Sequence, residues 1–302
     1  MNFDVVIPTK NRPEDLDRLI DSINRSTVTP STVVIIDQSP EIKNIVISNN
    51  YKVIHVHATN VSGLCAAKNL GVSYCNSDVI HFFDDDIILD SDYFEIINQH
   101  LEKNPDIVGI CGRQKNSKSS RLKLAAFSFF HIGPFRDIRK KCNSGYAKED
   151  LVETNILPGG ITAYRKEVFE YFQFDEALVK YCLGEDMDFS YRVSKRNKLA
   201  FATDALALHN HSQIGRYDPL ESYACKVAGY SYFYDKNLYK SLTNKLSYVM
   251  VLCGLLFDAA SYTLKHGDMD AVKGILKGKR YIKNKYEGVP FLDTSKILFL
   301  KK

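Results

Sequence analysis

An apolar run that ends in three consecutive aspartates constrains this chain more than any other stretch. Val79 to Phe83 has the length and composition of a buried parallel strand, and open α/β sheets bind ligands just past the carboxyl ends of such strands. In extended chain the side chains of Asp84 and Asp86 point the same way, and Asp85 points the other way. Because three unpaired carboxylates are costly to bury, the pattern indicates either a Mg²⁺ or Mn²⁺ site or a solvated acidic turn before the next helix.

Composition places the chain among globular proteins. Its 302 residues are 45% hydrophobic and 25% charged, enough for a large domain with an appendage. Seven cysteines without a Cys-x-x-Cys pair argue against a disulfide framework or a zinc site and for a reducing compartment. The N-terminal residues predict a first strand instead of a signal peptide. The nearest approach to a membrane-spanning segment, Tyr248 to Phe257, is too short, so we expect a cytoplasmic location.

Strand and helix patterns alternate over the first part of the chain. Predicted strands cover residues 3–7, 32–37, 53–56 and 78–83, and predicted helices cover residues 13–26 and 62–74. This alternation predicts an α/β fold with a parallel sheet and crossover helices. Polar residues that follow the predicted strands should meet at one edge of this sheet. They are Thr9 to Arg12, Asp37, Asn60 and Asp84 to Asp86.

Two basic segments come after a further predicted strand at residues 107–111. Residues 112–123 contain five lysines and arginines and no acid, so we expect an exposed basic loop there. A second cluster follows, formed by Arg136, Arg139, Lys140 and Lys141. Both segments could be solvated, or they could meet an anionic ligand or membrane surface.

Paired glycines and two close histidines occur in the next part of the chain. Gly159 and Gly160 allow the backbone to approach a ligand closely. Residues 199–208 are predicted to form one or two strands that end at His209 and His211. These histidines are either structural or metal ligands.

A second acidic pair, Glu185 and Asp186, begins a predicted helix. Acids in a first turn favour the helix dipole, which is sufficient reason for their presence. Asp188 and Arg192 lie one turn apart and should pair with each other. This pairing would leave Glu185 and Asp186 free to face a cleft.

The alternation stops after about residue 218, and we predict a catalytic domain of residues 1–215 and a helical region of residues 216–302. Predicted helices cover residues 219–239, 242–264 and 268–286. Residues 265–302 contain ten lysines and arginines against four acids, a balance of +6. This region could lie on an anionic membrane surface or a partner, or it could pack as a cap on the catalytic domain.

Six of these segments occur in a recognisable order between residues 2 and 212. They are residues 5–12 (VVIPTKNR), 34–39 (VIIDQS), 63–71 (GLCAAKNLG), 82–86 (FFDDD), 159–160 (GG) and 184–189 (GEDMDF). The ordered set resembles the family 2 glycosyltransferases, whose GT-A fold is a Rossmann-like, mostly parallel sheet flanked by helices. The resemblance covers about two thirds of the chain. The helical C-terminal appendage is loosely similar to those of bacterial enzymes that build surface polysaccharides.

The resemblance implies a role for each segment. Residues implied to contact a nucleotide-sugar donor are Pro8, Thr9, Asn11, Arg12, Asp37, Asn60, Lys68, Asp84, Asp85, Gly159 and Gly160. Residues implied to hold Mn²⁺ or Mg²⁺ on the donor diphosphate are Asp84, Asp86 and His209, with His211 as the other candidate. Asp186, next to Glu185, matches the acid that serves as general base. Lys68 stands where the family usually has arginine, so it would meet the donor as a point charge instead of a bidentate fork.

The implied activity is transfer of a hexose or deoxyhexose from a UDP-, dTDP- or GDP-sugar to a hydroxyl of a glycan or lipid-linked glycan. It would serve surface-polysaccharide synthesis in the cytoplasm, either free or at the inner face of the membrane. One base and one metal without a second nucleophile predict a single displacement with inversion. The alternatives are another metal-dependent sugar-nucleotide enzyme and an inactive module that binds nucleotide sugars or glycans. No recognised module supports nucleic-acid binding.

Overall fold

The computed structural model describes residues 1–41, 50–179, 184–212, 217–297 and 299 of the chain. The strands of these residues are β1 (Phe3–Thr9), β2 (Thr32–Asp37), β3 (Lys52–His57), β4 (Val79–Phe83), β5 (Ile87–Leu89), β6 (Ile107–Gln114), β7 (Leu151–Thr154), β8 (Ile161–Arg165) and β9 (Lys198–His209). The α-helices are α1 (Pro13–Asn24), α2 (Leu64–Ser73), α3 (Tyr93–Lys103), α4 (Arg121–Phe130), α5 (Arg139–Asn143), α6 (Glu185–Ser194), α7 (Pro219–Asn237), α8 (Leu242–His266) and α9 (Asp270–Lys283). Short 3₁₀ turns lie at Gly133–Phe135, Lys166–Glu170 and Thr294–Lys296.

The strands form one twisted sheet with the order β3-β2-β1-β4-β8-β6-β9-β5, and β7 pairs with β9 beside this path. Strands β3, β2, β1 and β4 are parallel, as the alternating sequence predicts. All residues of β1 and β4 are buried, because helices cover both faces of this half of the sheet. The α/β prediction is therefore confirmed.

Antiparallel pairing in the other half of the sheet brings distant loops to the end of β4. Strand β8 runs antiparallel to β4, with Phe83 opposite Ile161, so the residues just before β8 lie beside those just after β4. Strand β5 runs antiparallel to β9, with Ile87 opposite His209. The residue before β5 and the end of β9 are therefore neighbours as well.

Residues 112–123, predicted as one exposed basic loop, belong partly to regular structure. Strand β6 continues through Arg113 and Gln114, which pair with β9. Helix α4 begins after Ser120, whose hydroxyl accepts a hydrogen bond from the backbone N–H of Lys123. The loop prediction was therefore too long at both ends, because it took the lack of acids as a sign of irregular structure.

The C-terminal helices share a hydrophobic core with the sheet. Tyr232 of α7, Tyr286 and Phe291 belong to the same buried cluster as Phe201 of β9 and Phe82 of β4. Helices α7, α8 and α9 pack on one another, and α8 also contacts α4. This is the arrangement of a packed cap, one of the two alternatives that the sequence left open.

Helix α8 is the one described helix that is long and apolar enough to cross a membrane by length and composition. It has 25 residues with a mean hydropathy of 1.4 over its most apolar window, and 28% of that window is buried. The uninterrupted apolar run from Tyr248 to Phe257, on which the expectation from sequence rested, is only part of this helix. Length and composition are shared by membrane spans and by packed helices, and α8 packs against α7, α9 and α4.

His81 lies at the centre of β4 and is fully buried. Its ring packs among those of Phe3, Phe83, Tyr93 and Phe94, and neither ring nitrogen has a hydrogen-bond partner within the described part of the chain. Burial lowers the pKa of His81 to about 3, because the apolar surroundings disfavour the imidazolium. The folded state therefore binds a proton at this site more weakly than the unfolded chain does.

Replacing His81 should make the fold less sensitive to acid. As the pH falls below about 6.5, His81 becomes protonated in the unfolded chain but stays neutral in the folded protein. The free energy of unfolding therefore falls by about 1.4 kcal/mol per pH unit at this site. In His81→Phe this loss should be absent, while the matched change His266→Asn of an exposed histidine should retain it. Urea unfolding at neutral pH and at about pH 5 measures the difference. Equal pH dependence of His81→Phe and the parent protein would contradict the assignment.

Candidate active site

The carboxyl ends of β1, β2 and β4 meet at one edge of the sheet, as predicted for parallel strands. Asp85, just after β4, accepts hydrogen bonds from the Thr9 hydroxyl at 2.8 Å and from Arg12 at 3.0 Å. Asp37, at the end of β2, accepts a hydrogen bond from the backbone N–H of Ser39 at 2.8 Å. The polar groups that follow separate strands therefore form one connected site.

A cavity of about 450 Å³ lies at this edge beside the first loop. Thr9, Asn11, Arg12 and Asp37 are among its lining residues. The backbone of Asn11 has a positive φ of 58°, and its N–H donates to the Ser39 hydroxyl at 2.7 Å, which fixes the loop against the end of β2.

Two predicted donor residues lie elsewhere in the structure. Pro8 is buried within β1, opposite Ile36 of β2, and does not line the cavity. Asn60 is exposed in the turn after β3.

Asp84, Asp86 and His209 form a cluster in which one possible ligand atom from each lies within 4.8 Å of the others. The antiparallel pairing of β5 with β9 produces this cluster, since it places the end of β9 beside Asp86. The Nε2 atom of His209 is 3.1 Å from Oδ1 of Asp86. Two carboxylates and one imidazole suit a hard or borderline divalent cation such as Mg²⁺ or Mn²⁺.

The three consecutive aspartates have different surroundings. Burial raises the pKa of Asp85 to about 6, although Arg12 and the Thr9 hydroxyl act in the opposite direction. Burial would also raise the pKa of Asp86, but His209, the backbone N–H of Ser212 and Arg12 outweigh it and lower that pKa to about 2. The mutual repulsion that the sequence suggested is therefore relieved by separate partners.

His211, the second histidine at the end of β9, stacks on His209 with ring centroids 4.1 Å apart. Its backbone has a positive φ of 52°, which turns the chain immediately after the strand. Among the residues that the structure describes, His209 lies in the cluster with Asp84 and Asp86, and His211 does not.

Gly159 and Gly160 pack tightly against the two acidic pairs of the protein itself. A Cβ atom on Gly160 would overlap the carboxylate of Asp84, and one on Gly159 would overlap that of Glu185. The carbonyl of Gly160 also accepts a hydrogen bond from the backbone N–H of Asp84 at 3.1 Å. The sequence predicted close approach to a ligand, whereas the space that these glycines leave is already filled by carboxylates.

Glu185 is not free to face a cleft, contrary to the prediction from sequence. It is buried and paired with Lys68, whose Nζ lies 3.1 Å from Oε1 of Glu185 and donates to the carbonyl of Gly159 at 3.0 Å. The side chains are 1% (Lys68) and 8% (Glu185) exposed. Burial alone would lower the pKa of Lys68, but Glu185 and Asp84 raise it, so the ammonium group stays charged. In this structure Lys68 is therefore committed to protein partners.

Asp186 is also paired, but it remains accessible. Its Oδ2 atom forms an ion pair with Arg139, which binds Asp137 as well at 2.9 Å. The side chain of Asp186 is 17% exposed and lies on the wall of a second, larger cavity. The predicted pair of Asp188 with Arg192 is present, with the nitrogen and oxygen 2.9 Å apart.

Three further residues of the site, Arg139, Asp137 and Ser212, were not predicted from the sequence. Arg139 was noted only within a basic cluster that was either solvated or bound to an external anion. Its partners are two carboxylates of the protein itself. One of them, Asp186, lies 47 residues away from Arg139 in sequence. Spacing along the chain carried no signal for this contact.

Comparison with known proteins identifies the family. Residues 4–172, more than half of the chain, match the family described as "Glycosyl transferase family 2". The chain belongs to this family. It is therefore a glycosyltransferase, which confirms the resemblance noted from the ordered motifs.

Two bacterial relatives match much of this glycosyltransferase. The O-antigen chain rhamnosyltransferase RfbN of Salmonella typhimurium is 25% identical over 230 residues, covering 74% of this chain and 69% of RfbN. The uncharacterized glycosyltransferase YwdF of Bacillus subtilis is 25% identical over 182 residues, covering 58% of this chain and 66% of YwdF.

Solved structures show the same GT-A fold. TarS of S. aureus, in complex with UDP-GlcNAc, superposes with a TM-score of 0.56 at 14% identity, covering 96% of this chain and 84% of TarS. GalNAc-T7 with UDP, GalNAc and Mn²⁺ gives a TM-score of 0.55 at 14% identity, covering 95% of this chain and 58% of GalNAc-T7. At these identities the likeness concerns the fold.

Removing Lys68 should destabilise the protein, because Glu185 would then be a buried, uncompensated charge. Breaking such a pair from one side typically costs about 3–5 kcal/mol. We expect that loss in the free energy of unfolding of Lys68→Met, and partial recovery in the double variant with Glu185→Gln. Lys198→Met removes an exposed pair with Asp106 and should change little. Urea unfolding of the four proteins, parent included, measures the effect, and a Lys68→Met variant as stable as Lys198→Met would contradict it.

Proposed function

We propose that this glycosyltransferase moves a sugar from a nucleotide-sugar donor to a hydroxyl of a glycan or lipid-linked glycan, with inversion at the anomeric carbon. We propose surface-polysaccharide synthesis as its role and the cytoplasmic side of the membrane as its location. The name of RfbN, an O-antigen chain rhamnosyltransferase, supports the role. The UDP-GlcNAc complex of TarS supports a nucleotide-sugar donor.

One observation carries the proposal: two acidic groups with different chemistry meet across the backbone of Gly159 and Gly160. Asp84, of the cluster with Asp86 and His209, donates its backbone N–H to the carbonyl of Gly160, and a Cβ atom on Gly159 would lie 3.3 Å from the Cβ of Asp186. A donor diphosphate at the first group would therefore lie close to an acceptor hydroxyl at Asp186. Such proximity is what a direct displacement between two substrates requires.

We assign donor binding to the smaller cavity beside the first loop. Thr9 and Arg12 are held by Asp85, and Asn11 is held by Ser39, so these groups are positioned before a ligand arrives. Preorganised polar groups lower the entropic cost of binding.

We assign the metal ion to Asp84, Asp86 and His209, with Mn²⁺ favoured over Mg²⁺ because an imidazole is a poor ligand for Mg²⁺. A divalent ion bound there would neutralise charge on the leaving diphosphate as a Lewis acid. The backbone N–H of Ser212 and Arg12 help to keep Asp86 ionised for this purpose.

We assign the general base to Asp186 instead of Glu185. Asp186 lies on a cavity wall, whereas Glu185 is buried against Lys68. The Arg139 guanidinium holds one oxygen of Asp186, and the backbone N–H of Met187 holds the other at 2.8 Å. These contacts fix the direction in which the carboxylate can take a proton from an acceptor hydroxyl.

Nucleotide-sugar binding that depends on Mn²⁺ tests the proposed activity. At least one UDP-, dTDP- or GDP-sugar should raise the melting temperature of the protein in the presence of Mn²⁺. Asp86→Asn should weaken that binding at least about tenfold by calorimetry, since it removes a charged ligand. Asp92→Ala, an exposed acid of the next turn, should bind like the parent protein. Failure of every donor to stabilise the parent protein would refute the proposed function.

Replacing Asp186 should separate donor binding from turnover. In Asp186→Asn the Mn²⁺-dependent affinity for the donor should be retained, because the donor ligands are untouched. Turnover should fall by about 10²–10⁴, the usual contribution of a positioned base. Single-turnover transfer to the acceptor measures the chemical step, and a rate within a few-fold of the parent protein would show that another group is the base.

A further inference from the structure

A cavity of about 740 Å³ lies beside Asp186, between helices α4, α7 and α8. Its lining includes Asp186 and Arg139 as well as Phe257 and Lys265 of α8. Phe257 and Lys265 are exposed, so the cavity joins the proposed general base to the outer surface of the helical region.

Four lysines line this cavity without an ion pair among the residues that the structure describes. They are Lys123 of α4, Lys140 of α5, Lys226 of α7 and Lys265 of α8. Because they come from four helices, their convergence is a property of the fold and not of one basic segment. Two of them, Lys123 and Lys140, belong to the basic segments for which the sequence analysis left an anionic ligand open.

The acids of the cavity do not balance these four charges. Asp137 and Asp186 both pair with Arg139. Asp258 is the remaining carboxylate of the lining, and it accepts a hydrogen bond from the Tyr223 hydroxyl at 2.8 Å. With Arg139 included, five cations and three carboxylates line the cavity, which leaves an excess of two positive charges.

Aromatic rings hold two of the ammonium groups at the cavity wall. The Nζ of Lys140 lies 4.0 Å from the ring centroid of Phe127, and that of Lys226 lies 4.4 Å from that of Tyr223. Burial lowers the pKa of both lysines, although the Asp258 carboxylate acts in the opposite direction. A bound anion would favour their charged forms.

The helices that form the cavity expose apolar side chains on their outer surface. On α8 these residues recur at intervals of three and four, so they form one stripe: Leu242, Leu246, Val249, Cys253, Leu256, Ala260 and Leu264. On α4, Leu122 and Phe129 are exposed two turns apart on one face. Phe257 is 55% exposed, lines the cavity and follows Leu256 of the stripe in sequence, so the cavity and the stripe adjoin on α8.

We propose that this cavity binds an acceptor saccharide that is linked through a phosphate group to a membrane lipid. The phosphate lies among the four lysines, the saccharide reaches Asp186, and the lipid lies against the apolar stripe of α8. This assignment rests on the proposed function, and it chooses the lipid-linked acceptor over a free glycan. A neutral, soluble glycan would leave the lysines without an anion and the stripe without a role.

Binding of small lipid phosphates by the full-length protein tests the proposal. Farnesyl diphosphate should bind more tightly than farnesol, which lacks the anion, and than inorganic pyrophosphate, which lacks the chain. The double variants K140A/K226A and K140Q/K226Q should lose about a hundredfold in affinity, about tenfold for each charge-assisted contact. K245A/K279A removes two exposed lysines outside the cavity and should bind like the parent protein. Asp258→Asn should bind more tightly, because it removes the opposing charge.

Calorimetry measures each of these affinities, on variants whose melting temperatures are unchanged. Equal affinities of the parent protein for farnesyl diphosphate and farnesol would overturn the proposal. So would equal affinities of K140A/K226A and K245A/K279A. Mn²⁺-dependent donor binding, measured on the same preparations, separates the two claims. If the donor binds and farnesyl diphosphate does not, the acceptor assignment fails and the proposed function stands. If no donor binds, the proposed function fails.

Vesicles test the apolar stripe separately. Sedimentation with vesicles of phosphatidylcholine and phosphatidylglycerol should carry down the parent protein, and L246N/L256N should remain in the supernatant. This variant should also bind farnesyl diphosphate more weakly, because the chain of the lipid lies against the same stripe. A parent protein that stays in the supernatant and forms a dimer by light scattering, which L246N/L256N abolishes, would show that a second copy covers the stripe and would overturn its assignment to lipid.

Discussion

The burial of carboxylates at one sheet edge is the constraint on which the rest of this structure depends. Each of them needs its own partner, because an unpaired buried charge would cost more than a typical domain can lose. Arg12 pairs with Asp85, His209 lies against Asp86, and Lys68 pairs with Glu185. These partners come from segments far apart in sequence, so the site exists only when the whole sheet has formed.

The topology of the sheet supplies those partners. Parallel strands bring the first loop to the aspartates, but antiparallel strands bring the histidine and the glycines. The backbone of Gly159 and Gly160 lies between the two acidic groups. A side chain at Gly159 would displace the carboxylate of Glu185, and one at Gly160 would displace that of Asp84. A purely parallel sheet would have placed donor groups at its edge without bringing Asp186 near them.

The sequence predicted what local pattern and chain order can encode. The α/β class, the convergence of Thr9 and Asp85 and the grouping of Asp84 with Asp86 all follow from strand period and the geometry of parallel sheets. The partners of Glu185 and Asp186 could not be predicted, because Lys68 and Arg139 reach them through tertiary packing across 117 and 47 residues. The extent of the basic loop was wrong for the same reason, since pairing with β9 extends β6 into it. The domain boundary at residue 215 stays a prediction.

Lysine at position 68 is consistent with this network, although relatives of the family usually have arginine there. The ammonium group is compact and donates in three directions, so it can serve the Glu185 carboxylate and the Gly159 carbonyl at once. A guanidinium is larger and planar, and the space beside Gly159 admits not even a Cβ atom. Lys68 therefore lies in the interior beside Gly159, and the proposed function assigns donor recognition to the first loop and the metal ligands. Glu185 is buried in an ion pair with Lys68, while Asp186, held by Arg139 on the wall of the second cavity, is the acid to which we assign the role of base.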